Sequence, residues 1–123
     1  MFVAIQNVAK EDGIVKPYKM FAAETREELE SNKSITYDRI EEYEYAEMYN
    51  GVIYTDKAEC VAVKNENIRQ IRANLYAEQI DPLHAQKQRK VVLGTWTSAD
   101  EAEYVERVEA LTTKIQEENP YVE

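Results

Sequence analysis

The chain has 123 residues, 44% hydrophobic and 32% charged, with 24 acidic side chains against 15 basic ones for a formal charge of −9. That length fits one core of ordinary size, and the composition is that of a packed globular protein rather than a disordered tail. The acidic excess opposes phosphate backbones and anionic lipid, so neither nucleic acid nor a membrane surface is expected as a direct partner.

No run of about 18 apolar residues is present that could span a bilayer, and the N-terminal MFVAIQNVAKEDG has no basic segment followed by an apolar stretch of signal length. Synthesis in the cytoplasm is the expectation. The single Cys60 excludes an intramolecular disulfide and any cysteine-based zinc site of ordinary spacing.

In chain order, FVAIQNV over 2–8 is apolar and β-branched enough for a strand, with turn residues in the AKEDG that follows. A second strand is predicted over Tyr18 to Ala23. Thr25 with Glu28 has the spacing of a capping box, which predicts a short helix from Arg26 to Asn32. EYEYAEMY, Asn50-Gly51 and VIYTD then form a hairpin signal, because Asn-Gly accepts the positive φ angles of a type I′ turn. Alternation places Tyr43, Tyr45, Glu47 and Tyr49 on one face of that hairpin. A further short strand is predicted over Glu59 to Val63.

From Asn65 the apolar period lengthens to that of a helix, through Ile68, Ile71 and Leu75 to Ile80. Asp81-Pro82 supplies a cap and a first-turn proline, so a second helix is predicted over Pro82 to Val92 after a sharp break. Gly94 suits its stop. Ser98 with Asp100 and Glu101 opens a last helix, with Ala102, Val105, Val108, Leu111 and Ile115 along one stripe and Asn119-Pro120 ending it.

Candidate chemistry is sparse. One His and one Cys, His84 and Cys60, fall in different predicted elements, and the bland reading is a contact histidine and a small buried hydrophobe. Glu41, Glu42, Glu44 and Glu47 form a carboxylate run without the Asp, Asn and Gly spacing of a calcium loop, so a solvated acidic face competes with any site there. The glycines Gly13, Gly51 and Gly94 stand alone, with no phosphate-cradling motif around them. No cofactor is expected. Lys87, Arg89 and Lys90 make one local basic cluster. The nine tyrosines favour binding, since each contributes large area with few torsions to immobilise.

Arg72-Ala-Asn-Leu75-Tyr76, then Asp81-Pro82-Leu83, then a basic helix and a last helix ending in Asn119-Pro120-Tyr121, resembles a segment of small bacteriophage and prophage proteins from tail regions. The resemblance covers residues 69 to 122 or so and does not extend to residues 1–63. It implies a non-enzymatic virion or tail-assembly role and offers no catalytic residues.

The expectation is one α+β domain: an N-terminal antiparallel, β-hairpin-containing sheet over 1–63 and a C-terminal three-helix element over 64–123. Its function would be to bind other phage structural or assembly proteins, as a homo-oligomer or in a hetero-complex, in the host cytoplasm during synthesis or in the virion. Tyr43, Tyr45, Tyr49, Tyr54, Tyr76, Asp81, Leu83 and Arg89 are the candidate partner-binding residues. The rival is a small acidic phage inhibitor of a host defence protein, presenting Glu41, Glu42, Glu44 and Glu47 in place of phosphates.

Overall fold

The computed structural model describes residues 1–9 and 12–123, and the protein is α+β. The strand-forming N-terminus becomes β1 (Phe2–Ala9), which pairs antiparallel with β2 (Val15–Ala23) on one side and with β3 (Arg39–Glu42) on the other. The predicted turn over AKEDG falls partly on Lys10 and Glu11, outside the described residues. A short helix α1 (Arg26–Glu30) lies between β2 and β3, and Thr25 Oγ1 accepts from the Glu28 N–H at 3.3 Å to start it.

The Asn-Gly hairpin is present as β4 (Glu47–Tyr49) and β5 (Val52–Tyr54), with φ +50° at Asn50 and +78° at Gly51. Its first strand is shorter than the expected run from Glu42. The Met1 ammonium donates to the Tyr43 carbonyl and the Tyr43 N–H to the Met1 carbonyl, so this stretch of chain finishes the β1–β3 ladder instead. A core of Val3, Ile5 and Ile53, with Ala22, Tyr43 and Ala46 packed on it, joins sheet and hairpin, while Leu29 of α1 is also buried.

Both edges of the three-stranded sheet are blunted. Pro17 stands opposite Asn7 on β2, where a residue lacking an N–H is tolerated because that position faces outward. Met20 is the extra residue where the register shifts between Ala4 and Ile5, and Lys16 and Lys19 lie within the strand. At the other edge, β3 has four residues, three of them charged. Short, charged and bulged edges resist strand addition.

The predicted strand over Glu59 to Val63 is helix. α2 (Lys57–Gln79) begins eight residues earlier than expected, because Asp56 Oδ1 accepts from the Ala58 N–H at 2.9 Å and the Glu59 N–H at 3.3 Å. The chain divides into two compact units inside α2, Met1–Ala62 and Val63–Glu123.

In the second unit α2 is followed by α3 (Asp81–Val92) and α4 (Ser98–Glu118). Asp81 is not the cap of α3: that position is Ile80, without a side-chain bond, and Asp81 sits in the first turn, where its charge complements the helix dipole. α3 stops in a Schellman turn, with Thr95 N–H on the Lys90 carbonyl, Gly94 N–H on the Val91 carbonyl and φ +71° at Gly94. Thr97, rather than Ser98, caps α4. Its Oγ1 accepts from the Asp100 N–H at 3.1 Å while Asp100 accepts from the Thr97 N–H at 3.0 Å.

Contacts to α4 and the tail that follows it run in descending order as α2 and α3 ascend: Asn65 on Val122, Arg72 on Asn119 and Gln116, Tyr76 on Gln116, His84 on Tyr104, Lys87 on Glu101. α2 and α3 therefore form one broken arm antiparallel to α4. Tyr104, Val108, Leu111 and Ile115 form the better-buried stripe of α4, at a 4-3-4 spacing, whereas Ala102 and Val105 of the expected stripe are exposed. Among the described residues of this unit, only Ile80 and Ile115 are buried.

Candidate functional site

The motif Arg72 to Tyr76 with Asn119-Pro120-Tyr121 closes on itself. Arg72 donates to the Asn119 carbonyl at 2.9 Å and the Gln116 carbonyl at 3.3 Å, and its guanidinium lies 4.1 Å from the centre of the Tyr121 ring. The last carbonyls of α4 have no helical partners, and a cation there is favoured by the dipole as well. Asn65 completes the clasp by accepting from the Val122 N–H at 2.8 Å and donating to its carbonyl at 3.0 Å. These residues hold the helical hairpin shut rather than face outward for a partner. Tyr76 belongs with them, its hydroxyl accepting from Gln116 at 3.4 Å.

A second internal cluster sits at the other end of the hairpin. Lys87 pairs with Glu101 at 2.9 Å and lies 4.6 Å from the Tyr104 ring centre, Trp96 Nε1 donates to Glu101 at 2.9 Å, and His84 meets the Tyr104 hydroxyl through Nδ1. Lys87 and Trp96 together hold the Glu101 carboxyl below its ordinary range. The cap bonds from the Thr97 backbone and hydroxyl do the same for Asp100. A cleft of about 100 Å³ beside this cluster is lined by Leu83, Gln86, Lys90, Trp96, Tyr104 and Arg107 among others.

The hairpin tyrosines are half-buried within the first unit. Tyr43 packs on the core and donates to Glu41 at 2.6 Å; that bond, then Arg39, lowers the Glu41 pKa, and the same bond raises that of Tyr43. Tyr45 donates to Glu47, and its hydroxyl is held well above its ordinary range by Cys60 first and Glu47 second. Tyr49 and Tyr54 end β4 and begin the turn out of β5, both half-buried. Two of the four candidate phosphate-mimicking carboxylates, Glu41 and Glu47, are thus engaged internally, while Glu42 and Glu44 are exposed. Cys60 is wholly buried, with its thiol 3.9 Å from Glu47, and His84 is engaged within the second unit. Among the described residues no three His, Cys, Asp or Glu come close enough to hold a metal ion.

Among the described residues, the longest consecutive run of exposed large apolar side chains sits at the end of α3. Val91, Val92 and Leu93 are 51%, 79% and 70% exposed, three consecutive large side chains. Leu83, Lys87 and Lys90 form the half-buried side of α3, and the opposite side carries exposed Ala85, Gln88 and Val92 with Arg89 at its border. Exposed apolar groups on β2 are more dispersed, with Val15 and the pair Tyr18 and Phe21 on opposite faces of the sheet by register. Of the residues singled out from sequence, Arg89 lies against the α3 tip, Asp81 is exposed at the start of the same helix, and Leu83 is turned to its packed side. Val91-Val92-Leu93 carries no mark of exposure in the sequence, because an apolar triplet before Gly94 has the look of a buried helix end; its exposure depends on which side Leu83, Lys87 and Lys90 turn inward.

Among the described residues, no helix is long and apolar enough to cross a membrane. Comparison with known protein families, with curated proteins and with solved structures finds no match.

Proposed function

We propose that this protein is a non-enzymatic assembly protein of a bacteriophage tail or virion, and that the end of α3 is its principal protein-binding surface. The observation that carries the reading is the exposed run Val91-Val92-Leu93 on a helical unit with two buried side chains of its own. Fully burying a Val or Leu returns about 1.5–3 kcal/mol. A partner covering this run therefore supplies a substantial part of the roughly 8 kcal/mol that a micromolar complex requires.

The phage context comes from the ordered motif Arg72 to Tyr76, Asp81-Pro82-Leu83 and Asn119-Pro120-Tyr121. In the fold those residues build the clasp and the helix break, so the motif describes the scaffold on which the binding surface is mounted. The phosphate-mimicking inhibitor is less well supported, because Glu41 and Glu47 are already bonded to Tyr43, Arg39 and Tyr45.

The test is quantitative mass spectrometry of purified particles and of tail-assembly intermediates from cells making the phage. Copy number comparable to a tail or capsid protein, or a stoichiometric complex with one in the intermediates, supports the reading. Absence from both would sink it.

A further inference from the structure

We propose that the partner on the α3 tip is a second copy of this chain, which offers the outer face of its α4. The proposal rests on the reading of the tip as a docking surface and adds what docks there.

The two arms of the hairpin have opposite charge. α3 carries Lys87, Arg89 and Lys90 against Asp81, and α4 carries seven carboxylates against Arg107 and Lys114. Lys87 is already paired with Glu101, while Arg89, exposed beside Val92, has no carboxylate within ion-pair distance among the described residues. On α4 the side opposite Tyr104, Val108, Leu111 and Ile115 presents Ala102, Glu106, Glu109 and Thr113, all exposed, with Val105 beside them 41% exposed. Lys114 borders that face beside Thr113, and the carboxylates Glu106, Glu109, Glu117 and Glu118 outnumber it there. The face is a small-residue strip with an apolar neighbour and a carboxylate rim, the complement of an apolar tip bordered by arginine.

The same chemistry selects the pairing. Tip against tip sets Arg89 near Arg89, and α4 against α4 sets Glu106 and Glu109 against themselves, both repulsive arrangements. Within one chain the two surfaces cannot meet, since each lies on the side of its helix away from the packed stripe. Only the α3 tip of one copy on the outer α4 face of another joins apolar to apolar and plus to minus. Such a contact is heterologous, and repeated it closes a ring or extends a filament.

Two double variants separate the halves of the contact: Val92→Ser with Leu93→Ser removes the apolar tip without adding charge, and Glu106→Lys with Glu109→Lys reverses the α4 face. All four sites are exposed, and circular dichroism checks that each variant is as helical as the parent. By size-exclusion chromatography with light scattering, the parent mass should rise above 14.3 kDa with concentration, and added salt should reverse that rise. Each variant alone should associate at least tenfold more weakly. An equimolar mixture of the two should regain a one-to-one complex, because the intact tip of one meets the intact α4 face of the other. A parent that stays monomeric at every concentration overturns the proposal, and so does an associating parent whose variants fail to complement. A monomeric parent whose tip variant is still lost from particles overturns self-association alone and leaves the docking reading standing.

Discussion

Arg72→Ala is the most informative single change in the helical unit. Arg72 is half-buried, donates to two carbonyls at the end of α4 and covers the Tyr121 ring. A hydrogen bond from a charged donor contributes about 1.5–3 kcal/mol, and an exposed cation–π contact about 0.5–1 kcal/mol. The two hydrogen bonds share one guanidinium and are not additive, so the expected loss is roughly 2–3 kcal/mol. With a urea dependence of about 2 kcal/mol per molar, the midpoint should fall by roughly 1 M. Trp96, the single tryptophan, lies in this unit and reports its unfolding by fluorescence. Arg72→Lys keeps the charge and loses the planar fork, so it should recover less than half of the loss. Arg69→Ala is the control, since Arg69 is exposed and among the described residues pairs only with Glu66, a contact of about 0.3–0.5 kcal/mol. If Arg72→Ala moved the midpoint no further than Arg69→Ala, the clasp would not be holding the hairpin, and the motif would have to be explained by an external partner.

Ile115→Ala removes a side chain that is 2% exposed and should cost about 2–5 kcal/mol, measured in the same titration; a loss below 1 kcal/mol would mean the hairpin core collapses around the cavity. Thr97→Ala should cost about 1 kcal/mol while Ser98→Ala is near neutral, and the reverse order would return the cap of α4 to Ser98. The Asp100 and Glu101 pKa values are depressed in the folded chain, so their contributions are full above the ordinary carboxylate range. They are lost as pH falls through the folded values. The thermal stability of the helical unit should therefore fall as pH drops below about 4.5, the ordinary Glu value, and Asp100→Asn, which leaves no carboxylate on the Thr97 N–H to titrate, should flatten that dependence. An equally steep profile in the variant would remove the cap from the explanation.

The parts of the fold visible in the sequence were those fixed by local chemistry. Asn50-Gly51 needs positive φ at both residues, Gly94 needs it at the end of α3, and Pro82 and Pro120 interrupt helices wherever they fall. Glu59 to Val63 misleads because a short apolar run with valines suits strand or buried helix equally, and periodicity cannot separate the two over five residues. The deciding signal was Asp56 just before it, a cap whose carboxylate reaches two free N–H groups. Tertiary pairing decided the rest. Tyr43 turned from hairpin strand to ladder end through its bonds to Met1, which lies 42 positions away and leaves no trace in local alternation. Of the residues expected at a binding surface, Arg89 lies beside the α3 tip, whereas Asp81 is exposed at the opposite end of that helix. The tyrosines favoured for binding turned out to be half-buried or bonded at home, and the apolar tip emerged only once the packed side of α3 was known.

The most direct test of the proposed assembly role is a plaque assay in which a phage carrying this gene is deprived of it and complemented with the parent chain or with the Val92→Asp, Leu93→Asp variant. Both substitutions lie on exposed positions outside the clasp and the buried pair, so the variant should fold as the parent does. The account predicts a titre lower by at least tenfold with the variant, accompanied by incomplete particles in electron micrographs. Full titre and normal particles from a variant of parental helicity would contradict it.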